Sequence, residues 1–327
     1  MRTGVIGCGL IGSRRARWAG TDLVWVHDTC AEAGESLARE CGVAALQDWR
    51  DGLERVEAIV VATPNGVAPA IVVQALERGL HVLLEKPMGR NLQEARHLAE
   101  RAAVSSGVLK IGFNHRYHPA VSKAHELLAE LGPVLSLRAR YGHGGRPGYE
   151  NEWRGNPELA GGGVLLDQGV HIADLMGWFG GPPATAYAQI RTACWPIAPL
   201  EDTAFALLTY ESGALAQFHV GWTQWKNLFS LEVFAEMGSL HMEGLGGSYG
   251  PESLRCYRRR PQGGAPDEQR WDFEGPDSSW ELEWRDFLGA TAGQPYWGTP
   301  ADGLLAMRTL EALYASAAKG LVCPVVT

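Results

Sequence analysis

Short apolar runs alternate with amphipathic stretches along the first third of the chain. Thr3–Gly7, Leu23–His27, Ala58–Ala62, His81–Leu84 and Leu109–Phe113 are apolar runs without polar alternation. Strands of that kind are covered on both faces, as in a parallel sheet. Between them Ser13–Ala19, Cys30–Cys41, Pro69–Arg78 and Leu92–Ser105 carry a helical pattern. Strand–helix alternation at this spacing predicts a doubly wound parallel sheet with helices on both faces. The pattern changes near residue 120. Val134–Tyr141, Thr185–Thr192, Thr203–Tyr210, Ala214–Gly221 and Leu228–Glu236 alternate like half-buried strands. Glu211-Ser212-Gly213 marks a tight turn between two of them. This pattern predicts a mostly antiparallel sheet with helices on one face. Gly244–Gly250 and Pro261–Pro266 read as loops, and two late helices are expected at Trp280–Ala292 and Ala301–Lys319.

With 327 residues, 46% of them hydrophobic, the chain can bury more than one core. The expected fold class is α/β in two domains, residues 1–120 and residues 121–327. A net charge of −8 argues against nucleic-acid binding, which needs clustered Lys and Arg. The one basic run, Arg255 to Arg260, reads as a solvated strand edge or loop. Six scattered cysteines show no C-x-x-C pair and no His at ligand spacing, so reduced thiols and no metal are expected. Met1 leads within four residues into a strand, without the charged and apolar regions of a signal peptide, and no apolar run reaches the roughly 18 residues of a membrane span. A cytoplasmic protein with no membrane partner is the expectation. Nine of the twelve tryptophans follow residue 150. They suit a sugar-stacking platform, although core packing is the commoner cause.

Residues 4–12 read G-V-I-G-C-G-L-I-G. Gly7, Gly9 and Gly12 form G-x-G-x-x-G between a strand and a helix, the pattern of a Rossmann dinucleotide-binding turn. Gly7 permits the tight turn, Gly9 admits the pyrophosphate and Gly12 lets helix and strand pack closely. The helix start, with Leu10 and Ile11, offers its N–H groups to the phosphates. Asp28 closes the second strand 21 residues after Gly7, where a carboxylate would hold the adenosine ribose. It repels a 2′-phosphate, so NAD is expected over NADP. Arg14, Arg15 or Arg39 would admit NADP only by folding over the ribose.

Two further signals concern chemistry. Glu85-Lys86-Pro87 puts a lysine at the carboxyl end of a strand, where open α/β sheets bind ligands. Gly161-Gly162-Gly163 precedes V-L-L-D-Q-G-V-H-I-A-D-L. A helix starting near Val164 would put Asp167 and His171 on one face, four residues apart. A carboxylate and an imidazole so placed can share a substrate hydroxyl, and histidine suits proton abstraction. The pair could equally serve only to stabilise the helix. Asp174 would orient His171.

These motifs, with Ala62-Thr63-Pro64-Asn65, Gly112–Pro119 and Trp153-Arg154 in the same order, make the chain resemble the Gfo/Idh/MocA oxidoreductases, closely over about the first 180 residues. The resemblance implies that Thr63, Pro64 and Asn65 line the dinucleotide. It places Glu85 and Lys86 beside the nicotinamide and has Trp153 and Arg154 close over cofactor or substrate. Lys86, Asp167 and His171 match the family's catalytic lysine, aspartate and histidine. Asn114, Arg116 and Tyr149 fall on the substrate side, and Lys86–Pro87 is expected to be cis. Ala68 and Arg15 stand where family members often carry histidine. The implied reaction is NAD(P)-dependent hydride transfer between a nicotinamide and a secondary alcohol of a sugar or polyol, free or nucleotide-linked. Arg146 would slightly favour an anionic substrate. Ketone or imine reduction, dihydrodiol dehydrogenation and a non-catalytic NAD-binding transcriptional regulator are the alternatives on this scaffold. The uncovered face of the second sheet suggests a homodimer or homotetramer.

Overall fold

The first strand, β1 (Thr3–Ile6), is wholly buried, and it sits near the middle of a six-stranded sheet. The others are β2 (Leu23–His27), β3 (Ala44–Ala45), β4 (Ala58–Val61), β5 (His81–Glu85) and β6 (Leu109–Gly112). All pairings are parallel, in the order β3-β2-β1-β4-β5-β6. Four helices alternate with them: α1 (Leu10–Ala19), α2 (Ala31–Cys41), α3 (Ala68–Glu77) and α4 (Leu92–Val104). Local chemistry sets their ends. Pro69 starts α3, where its missing N–H costs nothing, and the Asn91 side chain accepts from Glu94 N at 2.9 Å to cap α4. The strand order reverses between β1 and β4, so the loops after these two strands flank the switch point at which such sheets bind ligands. The computed structural model describes residues 1–326.

By internal contacts the chain divides into Met1–Phe113 with Trp280–Leu304, and Asn114–Ser279 with Leu305–Thr327. This differs from a single cut near residue 120. Trp284 and Phe287 of α9 (Ser279–Thr291) join the core formed by Val5, Val26, Val60 and Leu83. Ile111 N donates to Gly298 O at 2.7 Å. The apolar face of α9 announces a helix, but periodicity does not say which sheet that face covers.

The second unit carries a nine-stranded sheet. Its strands are β7 (Val134–Gly142), β8 (Pro183–Arg191), β9 (Thr203–Tyr210), β10 (Leu215–Gly221), β11 (Leu228–Ala235), β12 (Gly238–Glu243), β13 (Glu252–Arg258), β14 (Asp267–Phe273) and β15 (Cys323–Pro324). The order is β14-β13-β12-β11-β7-β10-β9-β8-β15, antiparallel except where β10 pairs with β7. Strands β12 to β14, β15 and the helix α5 (Pro119–Leu128) escape the hydrophobic pattern. In β14 the reason is plain: five of its seven residues are charged or amide, and its first four are exposed. Arg255 to Arg258 lie in β13, and Arg255 is exposed there. Along β9, Ala204, Ala206, Leu208 and Tyr210 are buried while Phe205 and Leu207 face outward.

The triple glycine is a packing device. A Cβ on Gly163 would lie 2.0 Å from Glu201 O, and one on Gly162 would lie 2.4 Å from the Tyr314 hydroxyl. Glu201 then anchors the next turn, its Oε1 accepting from Leu165 N at 2.9 Å and from Tyr314 OH at 2.8 Å. The expected single helix is divided into α7 (Val164–Asp167) and α8 (Gly169–Gly180). Asp167 and His171 therefore sit on two short segments. At the junction His171 N donates to Gln168 O at 3.1 Å, so the i,i+4 ladder of one continuous helix is broken between them.

Candidate active site

In the first unit the glycine loop has the shape the motif requires. Gly7 has φ +95°, and a Cβ there would lie 2.4 Å from Ala62 O; a Cβ on Gly12 would lie 1.7 Å from Gly7 O. Gly9 has nothing within 4 Å of its Cβ position, which leaves open space for a ligand. No side chain caps α1 at Gly9, so the first-turn amides of Leu10, Ile11 and Gly12 have no competitor from a capping side chain. The Asp28 carboxylate accepts from Cys8 N at 2.6 Å and Cys30 N at 2.8 Å. It is thereby locked beside the loop in the position expected of a ribose ligand. The cradle, the uncapped helix and this carboxylate fit an NAD molecule. Gly9→Ala should leave the melting temperature near the parent value and weaken NADH binding. Gly12→Ala should lower the melting temperature itself. Thermal unfolding with a fluorescence titration of NADH separates the two.

Thr63 and Pro64 follow β4 half-buried, and Asn65 is buried. Lys86 follows β5 half-buried, and the Lys86–Pro87 peptide is cis. Glu85 has a partner that no local pattern announces. Arg15, fully buried on α1, donates from Nε to Glu85 Oε1 at 2.7 Å and from Nη2 to Glu283 Oε2 at 2.5 Å. Its guanidinium lies 4.6 Å from the Trp280 ring. Burial works against the Arg15 charge, but the two carboxylates hold its pKa above the ordinary value. Arg15 is therefore turned inward and is not the cation that would admit NADP. Beside it the buried Lys110 donates to Asp286 at 2.7 Å, and burial pulls that ammonium's pKa down.

In the second unit, His171 is 5% exposed and stacks on His115, with ring centroids 3.8 Å apart and planes 21° apart. Tyr141 meets both imidazoles edge-on, and Tyr249 packs against Tyr141 at 5.1 Å. Gln168 Nε2 reaches the Tyr249 hydroxyl at 3.4 Å. Asp167 Oδ2 accepts from Arg154 Nε at 3.3 Å, and the Arg154 guanidinium covers Trp153 at 4.4 Å. Tyr149 is 3% exposed and packs against Trp222 at 4.9 Å. Burial, aided by the Asp167 charge, pushes its hydroxyl pKa up to about 12, so it stays a neutral donor. His143 is lowered by burial, against the pull of Asp167. Asp167 and His171 thus belong to a region walled by aromatic rings.

Other assignments change. Arg116 is 3% exposed, with Nε and Nη2 on the two Asp174 oxygens at 2.9 and 2.5 Å and its guanidinium over Trp178. A guanidinium so enclosed serves the interior rather than the substrate, and Asp174 serves Arg116 rather than orienting His171. Asn114 is buried, and its amide bonds Ser279 and His115. Arg146 is held by both Glu152 oxygens at 2.8 Å, which offsets its charge and removes the argument for an anionic substrate. Of the later tryptophans, Trp222, Trp280 and Trp284 are core residues and Trp225 is exposed. His115 lies inside the Gly112–Pro119 motif, and Tyr141 and Tyr249 show in the sequence only as strand and loop residues. No spacing signal links any of them to His171.

Among the described residues no group of three or more His, Cys, Asp or Glu is placed to hold a metal ion, and no helix is long and apolar enough to cross a membrane.

Residues 1–113 match a family model described as an oxidoreductase family with an NAD-binding Rossmann fold, and residues 121–241 match the GFO/IDH/MocA C-terminal domain. The chain is 32% identical over 238 residues to 1,5-anhydro-D-fructose reductase of Ensifer adhaerens, covering 71% of this chain and 70% of that protein. It is 28% identical over 223 residues to levoglucosan dehydrogenase of Pseudarthrobacter phenanthrenivorans, covering 62% of this chain and 56% of that one. The match to this second relative thus spans little more than half its length. Among solved structures, GenD2 from gentamicin A biosynthesis in complex with NAD superposes with a TM-score of 0.86 at 28% identity, covering 100% of this chain and 97% of that one. Levoglucosan dehydrogenase in complex with NADH and levoglucosan gives a TM-score of 0.89 over 100% of both chains; at 21% identity it attests the fold.

Proposed function

Because the chain belongs to the Gfo/Idh/MocA family of oxidoreductases, we propose that it transfers a hydride between NAD and a secondary alcohol of a sugar or polyol. The observation that carries this reading is the buried His171 set among aromatic rings, with Asp167 four residues before it held by Arg154, in a chain that also holds the glycine cradle and Lys86. Bound NAD would supply the hydride acceptor. His171 takes the proton of the reacting hydroxyl. The Lys86 ammonium serves as a charged hydrogen-bond donor that stabilises negative charge developing in the reaction. Asp167, steadied by Arg154, accepts from a hydroxyl and holds the sugar in register. Trp153, lying under Arg154, offers apolar surface to a ring face, the buried Tyr149 backs the region from behind, and Thr63, Pro64 and Asn65 line the dinucleotide.

The test is direct. Purified protein with NAD is offered a panel of free sugars and polyols, and reduction is followed by nicotinamide absorbance. Turnover with at least one is expected. NADH binding without turnover on any member, in either direction, would instead support a cofactor-sensing role.

NAD is the proposed physiological cofactor, on account of Asp28. Asp28→Ala should narrow the ratio of kcat/KM for NAD over NADP; an unchanged ratio would remove Asp28 from that role.

The protein is further proposed to be a homodimer or homotetramer in the cytoplasm. Phe205, Leu207, Leu215 and Leu135 are all more than half exposed on the second sheet, and Leu207 and Leu215 lie on adjacent, paired strands. Burying such a surface is the usual reason two copies associate. Light scattering should give a multiple of 35.4 kDa, and Leu207→Glu should shift the mass downward. Six unpaired thiols, with Cys30 and Cys194 exposed, suit a reducing compartment.

A further inference from the structure

His115 is locked in place by a chain of hydrogen bonds whose direction can be worked out from one end. The Asp277 carboxylate accepts from Ser279 Oγ at 2.6 Å. With its only proton given there, Ser279 Oγ must accept from Asn114 Nδ2, at 3.2 Å. That turns the Asn114 carbonyl oxygen toward His115 Nδ1, also at 3.2 Å, so His115 donates from Nδ1. The imidazole thus has one orientation and one tautomer when neutral. Tyr141 at 5.0 Å, His118 at 5.7 Å and Phe229 at 6.0 Å hold its edges. One face carries the His171 ring at 3.8 Å. The two segments are also clamped alongside: Arg116, next to His115, holds both oxygens of Asp174, three residues beyond His171.

We propose that His115 is a positioning residue, a rigid flat plate that sets the plane of the His171 imidazole for proton transfer. This rests on the reading of His171 as the base. Proton transfer depends on the angle at which the ring nitrogen meets the hydroxyl, and small misplacements are costly. A flat partner restrains the ring's tilt; an aliphatic side chain of similar bulk fills the space without doing so.

The test compares His115→Phe with His115→Leu in the full-length protein, with His171→Ala as reference. Both His115 variants fill the buried site, and only the first is flat. The expected result is a kcat for His115→Leu about 10- to 100-fold below the parent, with the KM for NAD little changed, and a kcat for His115→Phe within about threefold of the parent. Melting temperatures of the two variants should be alike, since both are apolar replacements of the same buried ring. Equal kcat values in the two variants would overturn the proposal, whether both are high or both low. His171→Ala separates this from the parent reading. If it keeps parental turnover, the base assignment fails. If it loses turnover while the two His115 variants remain equal, the base stands and the plate falls.

Discussion

Lys86→Ala and His171→Ala should each lower kcat by about 10²–10³ while the protein remains folded and still binds NADH. The two losses have different origins. In the proposed reaction Lys86 is a charged donor to developing negative charge, so the interaction lost with it is strongest in the transition state. Removing His171 takes away the proposed proton acceptor. The fold should survive both changes, with His171→Ala losing some buried packing against His115. Lys86 is half-buried after β5, and α8 is held independently by the Arg116–Asp174 pair. Circular dichroism and NADH fluorescence should therefore match the parent. Near-parental kcat in both single variants would remove the assignment of the site.

Arg15→Ala should destabilise the protein by about 3–5 kcal/mol, the range for breaking a buried ion pair by removing one partner. Arg15 and Glu283 are both fully buried, and their Nη2–Oε2 distance is 2.5 Å. Burial raises the Glu283 pKa, and Arg15 and then Lys110 hold it back. Without Arg15 the carboxyl would rise further. A carboxyl whose pKa is higher folded than unfolded contributes stability at low pH that is lost as pH rises through the folded value. The deficit of Arg15→Ala should therefore be largest near neutrality and shrink in mildly acidic buffer. Denaturant unfolding at two pH values measures it; a deficit independent of pH would mean that Glu283 is already neutral. Replacing both fully buried partners by apolar residues, Arg15→Met with Glu283→Leu, should recover part of the loss: the fully buried carboxylate goes with its partner, and only the partly exposed Glu85 is left without Arg15.

The same pair shows why a sequence motif can be read correctly and still misassigned. Arg15 stands on the first helix, one turn from the glycine loop, where an arginine near an adenosine ribose is a natural thought. Its fate is decided by Glu283, 268 positions away. Arg116 likewise falls in a motif shared with the family, which implies a place among substrate residues. The structure draws it to Asp174 instead, because a guanidinium 3% exposed needs a carboxylate.

From the chain alone came the parallel sheet, the glycine cradle, Asp28, the antiparallel second sheet and the positions of Lys86, Asp167 and His171. All of these are written in local periodicity, turn chemistry or short motifs, which report on neighbours within a few residues. The tertiary structure decided which sheet α9 covers, where the helix before His171 breaks, how Arg15 and Arg116 are neutralised, and that His115 lies flat against His171. Those outcomes depend on contacts between distant segments. They are settled by close packing and by the need to pair every buried charge, and neither leaves a period in the sequence.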